Sequence, residues 1–148
     1  MNRTAVLILT CMVAICGPAA AQKPQFIRAP TDTGQTPFSE AVRVGNVLYL
    51  SGMIGVRPGT TTVVEGGIAA ETRQTLQNIR TALERAGGSM DDVVKCLVML
   101  TDIGEWGRMN EAYVPFFPKH RPARSTVGVA ELVLNARIEI ECIAVLEK

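Results

Sequence analysis

Chemistry in this sequence has to be sought in arginine and glutamate, because the more familiar reactive groups are sparse. The chain has one histidine. That residue, His120, stands in a proline-bordered basic turn, Lys119-His120-Arg121-Pro122, and without a positioned partner it reads as an exposed loop residue rather than a triad member. No G-x-S-x-G, P-loop, H-E-x-x-H or dinucleotide-binding glycine pattern occurs. Arg124, in Pro122-Ala123-Arg124-Ser125-Thr126, sits on a stiff approach to a β-prone run. An arginine held on a strand can offer its fork to a carboxylate. Near the C-terminus, strand alternation puts Glu139 and Glu141, with Arg137, on one face and Ile138, Ile140 and Cys142 on the other. Taken alone, these carboxylates are an ordinary solvated face. Beside an arginine anchor, a glutamate can hold a water for attack on an electrophilic carbon. Such a pair, without histidine, metal or nucleophile, suits an easy hydrolysis, and imines are substrates of that kind.

The elements that must position these residues follow from periodicity. Pro24, Pro30 and Pro37 suit an extended first segment, with Gln25 to Arg28 as a short edge strand. Ser39 to Val44 and Val47 to Ser51 flank Gly45-Asn46, a dipeptide suited to a hairpin turn. Pro58-Gly59 and Gly66-Gly67 mark a long irregular excursion. Ile68, Thr72, Leu76, Ile79, Leu83 and Ala86 recur at helical spacing, and Gly87-Gly88 stops that helix. Val93 to Leu100 reads as a strand buried on both faces. Asp102 can cap a second helix whose apolar positions are Ile103, Trp106, Met109, Tyr113 and Phe117, ended by Pro118 and Pro122. Strands return over Arg124 to Val129 and from Ala136 onward. The expected class is a single α+β domain.

The N-terminus is a different kind of segment. Arg3 precedes an apolar run from Ala5 to Cys16, followed by Gly17-Pro18 and Ala19-Ala20-Ala21. A charged start, a short apolar stretch and an A-x-A end make a secretory signal peptide, cut after Ala21. The run is too short for a span of roughly 20 residues. The expected organisation is therefore a signal peptide over 1–21 and one domain over 22–148, exported to the periplasm or beyond, with no membrane attachment after cleavage. Arg3 is the only charge in the leader, so 15 basic against 14 acidic residues becomes an even balance in the mature chain. A neutral domain lacks the electrostatic footprint of non-specific nucleic-acid binding. Cys11 and Cys16 leave with the leader. Cys96 and Cys142 remain, read as two small apolar strand residues, with at most one disulfide between them and their pairing left open.

At this point the residues carry a family likeness. The runs FSEAVRVGNVLYLSG, ETRQTLQNIRTALERAGGSMDDVVKCLVMLTDI, MNEAYVPFF, PARST and RIEIECIAV occur in the order and spacing of the Rid family, also called YjgF/YER057c/UK114. The chain resembles that family over nearly all of its mature length, roughly Phe26 to Leu146. The resemblance implies a chorismate-mutase-like α+β fold, a mixed sheet of about six strands with two helices on one face, and a homotrimer with ligand sites in clefts between subunits. It also implies hydrolysis of 2-iminobutanoate- and 2-iminopropanoate-type intermediates to 2-oxo acids and ammonia, with no cofactor. Arg124 falls on the family arginine that grips the substrate carboxylate, and Glu139 on the glutamate associated with the attacking water. Asn110, Ser51, Gly52 and Thr126 match residues that shape the site.

The likeness has departures. Phe38 stands where many active members have a tyrosine, and Met53 where glutamine is usual, so hydrogen-bond partners are missing from the substrate-binding wall. Polar complementarity governs discrimination between substrates more than the reaction type. An export signal also separates this chain from the cytosolic enzymes beside which most relatives work. The competing expectation is a non-catalytic small-molecule binder or holdase, favoured by the less polar cleft. Cleavage of RNA, ascribed to some relatives, is disfavoured by the neutral charge and the export signal.

Overall fold

A computed structural model describes residues 22–147 except 31 and 35. The expected signal peptide, with Cys11 and Cys16, lies outside the described residues. The chain runs β1 (Gln25–Ile27), β2 (Ala41–Val44), β3 (Val47–Leu50), β4 (Met53–Ile54), α1 (Gly67–Arg85), β5 (Val93–Leu100), α2 (Trp106–Tyr113), β6 (Ala123–Gly128) and β7 (Ile138–Val145). The strands form one seven-stranded sheet in the order β1-β2-β3-β7-β5-β6, with β4 added to β7. All pairings are antiparallel except β5 with β6. A parallel pair needs a crossover connection, which α2 supplies. This is the α+β, mixed-sheet, two-helix architecture expected. The two-residue β4 escaped the sequence reading because it lies within the stretch before the glycine-rich excursion and has no alternation of its own.

Local chemistry accounts for the elements. Helix α1 buries Ile68, Leu76, Ile79 and Leu83, each at most 1% exposed. Each such side chain contributes about 1.5–3 kcal/mol relative to exposure. At its end, Gly87 takes φ +82°. The Gly88 amide then donates to Leu83 O and the Gly87 amide to Glu84 O, the reciprocal pair that closes a helix through a left-handed residue. The sheet face under the helices is built from Leu48, Leu50, Val98, Leu100, Ile138 and Ile140.

Two sequence expectations need correction. Strand β5 is not buried on both faces within the chain: Val93, Cys96, Val98 and Leu100 are buried, whereas Val94 and Lys95 are exposed and Leu97 and Met99 half-buried. The helices cover only one face. The second helical segment is broken, with tight turns at Ile103–Glu105 and Val114–Phe116 around α2, and Ile103 and Trp106 are 53% and 48% exposed while Met109, Tyr113 and Phe117 are buried. Arg137, just before β7, is held by other elements: its amide donates to Glu71 Oε2 at 2.7 Å and its Nη1 to Glu105 Oε2 at 3.1 Å. The buried Glu71 of α1 thereby ties down the start of β7.

The cysteines lie in buried strand positions as expected, and the structure resolves their pairing. Cys96 and Cys142 are direct partners on β5 and β7, both at most 1% exposed, and are joined by a disulfide.

Candidate functional site

Strand β6 lies at one end of the sheet order. Its residues Arg124 and Thr126 pair with Cys96 and Val98 of β5, so both share the helix-covered face. Arg124 is half-buried. Its guanidinium carbon lies 4.7 Å from the centre of the Tyr113 ring, and Nη1 is 4.0 Å from Met109 Sδ. Among the described residues, no carboxylate forms an ion pair with Arg124. A fixed guanidinium without a counter-ion is a receptor for a carboxylate. Asn110 is half-buried on α2, next in the chain to Met109.

A second cluster forms around Glu139 on the other face of the sheet. Its partner on β4 is Ile54, and a Cβ placed on Gly52 would fall 1.9 Å from Glu139 Oε1. Residue 52 must therefore lack a side chain for the carboxylate to occupy this place. Ser51 is held just before it: its amide donates to Glu40 O at 3.0 Å and its hydroxyl to Ser39 O at 2.7 Å. Burial, and then the negative charge of Glu141, push the Glu139 carboxyl above the usual glutamate value. A carboxylate so raised is a better proton acceptor near neutrality. Phe38, 58% exposed, stands with Ser51, Gly52 and Met53 on a cleft of about 860 Å³ that extends to α1. Neither Arg124 nor Glu139 lines it.

The residues picked out in the sequence thus form two groups. Arg124 and Thr126 lie on β6, with Arg124 against α2, the helix that also carries Asn110, and Glu139, Gly52, Ser51 and Phe38 lie around β4 and β7. One chain does not bring them together, since Arg124 and Glu139 point to opposite sides of the sheet. His120 is in an exposed turn, as expected, with Nε2 2.6 Å from the Asp91 carbonyl oxygen. Sequence reasoning missed Tyr113 as the partner of Arg124. Its helical spacing marked it as a core residue, but nothing local shows which strand residue an aromatic ring will meet.

Comparison with known proteins gives a consistent result. The family model described as endoribonuclease L-PSP matches residues 27–146. A 2-iminobutanoate/2-iminopropanoate deaminase of Dermatophagoides farinae is 44% identical over 119 residues, 80% of this chain and 91% of that protein. The Homo sapiens protein of the same name is 41% identical over 118 residues, 80% of this chain and 85% of its own. Among solved structures, the Yersinia pestis YyfA protein of the conserved Rid family is 36% identical, with a TM-score of 0.78 over 84% of this chain and 100% of that one. With the family model matching residues 27–146 and relatives above 40% identical over most of both chains, the chain belongs to the Rid family.

Proposed function

We propose that this protein hydrolyses 2-imino acids of the 2-iminobutanoate and 2-iminopropanoate type to 2-oxo acids and ammonia. The observation that carries the reading is the half-buried Arg124 fork, without a counter-ion among the described residues, on a chain that also holds the raised carboxyl of Glu139. The relatives named as deaminases support it. In this mechanism Arg124 binds the substrate carboxylate and so fixes C2. Glu139 takes a proton from water as the water oxygen bonds to C2 and the C=N π electrons move to nitrogen. Glu139 returns that proton to the nitrogen, giving the amino alcohol; the hydroxyl proton then passes to the nitrogen through the same carboxylate as the carbonyl forms and the C–N bond breaks with its electron pair on nitrogen, so that ammonia leaves and takes up a further proton from solvent. No step calls on a cofactor.

Because the two groups face opposite sides of one sheet, the reaction needs a second copy of the chain. A homotrimer in which Arg124 of one subunit faces Glu139 of the next would complete the site. The sheet face away from the helices suits burial in such an assembly, since Tyr49, Val94, Val127 and Val145 are 37–48% exposed on the single chain. Export is the other part of the proposal. It is supported by the leader sequence and by the Cys96–Cys142 disulfide, because disulfides persist in oxidising compartments. Among the described residues no helix is long and apolar enough to cross a membrane.

The test is release of pyruvate from freshly generated 2-iminopropanoate. Arg124→Ala should lower kcat/KM by about two to three orders of magnitude, the value of a charge-assisted bidentate contact; equal rates for the variant and the native protein would sink the proposal. The exposed Phe38 ring, without a hydroxyl, favours one second reading, a non-catalytic binder of small carboxylates. Calorimetric binding of 2-oxobutanoate with no turnover of any imine would select it.

A further inference from the structure

We propose that Tyr113 is a positioning residue for Arg124: its ring is a platform that holds the guanidinium plane so that the free edge of the fork meets the incoming carboxylate. This rests on the function proposed above. Arginine carries many rotamers, and β6, an outer strand, has no neighbouring strand on one flank among the described residues. Holding the side chain before the ligand arrives removes an ordering cost from binding. Two contacts do so here. The guanidinium carbon stands 4.7 Å from the ring centre, within range for attraction to the aromatic face, and Met109 Sδ lies 4.0 Å from Nη1.

The ring is itself immobile. Tyr113 is 4% exposed, and Phe117 packs against it with ring centres 4.8 Å apart. Met109 precedes Tyr113 by one helical turn, so both contacts come from one face of α2. The Tyr113 hydroxyl is buried and has no hydrogen-bond partner among the described residues. The contact resolved with the guanidinium is that of the ring face, so the positioning is assigned to the aromatic face and not to the hydroxyl.

The experiment uses the full mature protein, with 2-oxobutanoate as the calorimetric probe and 2-iminobutanoate turnover followed in parallel. Tyr113→Phe should bind and turn over within about twofold of the native protein. Replacing Tyr113 by phenylalanines of rising fluorine content keeps the shape and drains the ring face of negative charge. Binding should weaken stepwise, by about tenfold across the series, with KM rising and kcat within about twofold. A flat series, or a Tyr113→Phe defect as large as that of the most fluorinated ring, overturns the inference. A graded binding series without turnover in any variant would overturn the hydrolytic reading and leave the platform standing. A flat series with normal turnover would do the reverse.

Discussion

The carboxylate of Glu139 occupies the space in which Gly52 would carry a side chain, 1.9 Å from an ideal Cβ to Oε1, with Cδ at 2.9 Å. The obstacle is the far end of a flexible side chain, so an added methyl group would be relieved by turning Glu139 away. Gly52→Ala should therefore change stability by less than about 1 kcal/mol yet lower kcat by about 100-fold, the effect of misplacing a reacting group by an ångström. Thermal melts and 2-iminopropanoate turnover check the two halves. A variant that melts early and retains its kcat contradicts this account.

The raised pKa of Glu139 has consequences for both rate and stability. Activity should rise with pH along a limb set above the ordinary glutamate value, because the base must be ionised. Removing the neighbouring charge with Glu141→Gln should move that limb to lower pH. For stability the sign is opposite. The folded state holds the Glu139 proton more tightly than the unfolded chain does, so this group's contribution is fully present below the ordinary glutamate pKa and is lost as pH rises through the folded value. Glu139→Gln should cost about 100-fold or more in kcat while melting no earlier than the native protein at pH 7. An unmoved acidic limb in Glu141→Gln would contradict the assigned electrostatics.

A site shared between subunits can be separated genetically from one held within a chain. Arg124→Ala and Glu139→Gln should each be nearly inactive alone. Unfolded together in equal amounts and refolded, they should regain about a quarter of native activity, because that fraction of head-to-tail interfaces pairs an intact arginine with an intact glutamate. Recovery no greater than the sum of the separate variants would overturn a site shared between subunits.

The disulfide joins residues separated by 46 positions. Closing a loop of that size restricts the unfolded chain and stabilises the fold by up to about 4 kcal/mol. Cys96→Ala with Cys142→Ala should lower Tm by roughly 10 °C, and reductant should do the same to the native protein alone. Protein recovered from outside the cytoplasm should begin at Gln22 and show no free thiols by mass spectrometry. An uncleaved chain with two reactive thiols would oppose both the export and the staple.

Much of the fold is legible in local pattern. The alternation of Ile138, Ile140, Cys142 and Ala144 with Glu139 and Glu141 needs no structure to assign, because a strand's side chains have a period of two. The same holds for α1, where Ile68 to Leu83 follow the helical period and Gly87-Gly88 supplies the stop. The second helix was less legible. Ile103 and Trp106 match its spacing, but they are left exposed once the chain tightens before α2, and periodicity cannot see that. Glu71 on α1 was invisible as a partner of Arg137, since such a contact depends on where the helix lands on the sheet.

By itself the sequence determined the strands that bear Arg124 and Glu139, the two groups given the proposed chemistry, and the parity of their neighbours, because residue type and local periodicity are properties of short stretches of chain. Only the tertiary structure decided that Arg124 shares the face of Cys96 while Glu139 takes the other, that Tyr113 lies under the guanidinium, that Gly52 makes room for a carboxylate, and that Cys96 and Cys142 pair. Each depends on register between distant strands or on a helix's seat upon them. Those are settled by burying the apolar face as a whole, and no local window contains that sum.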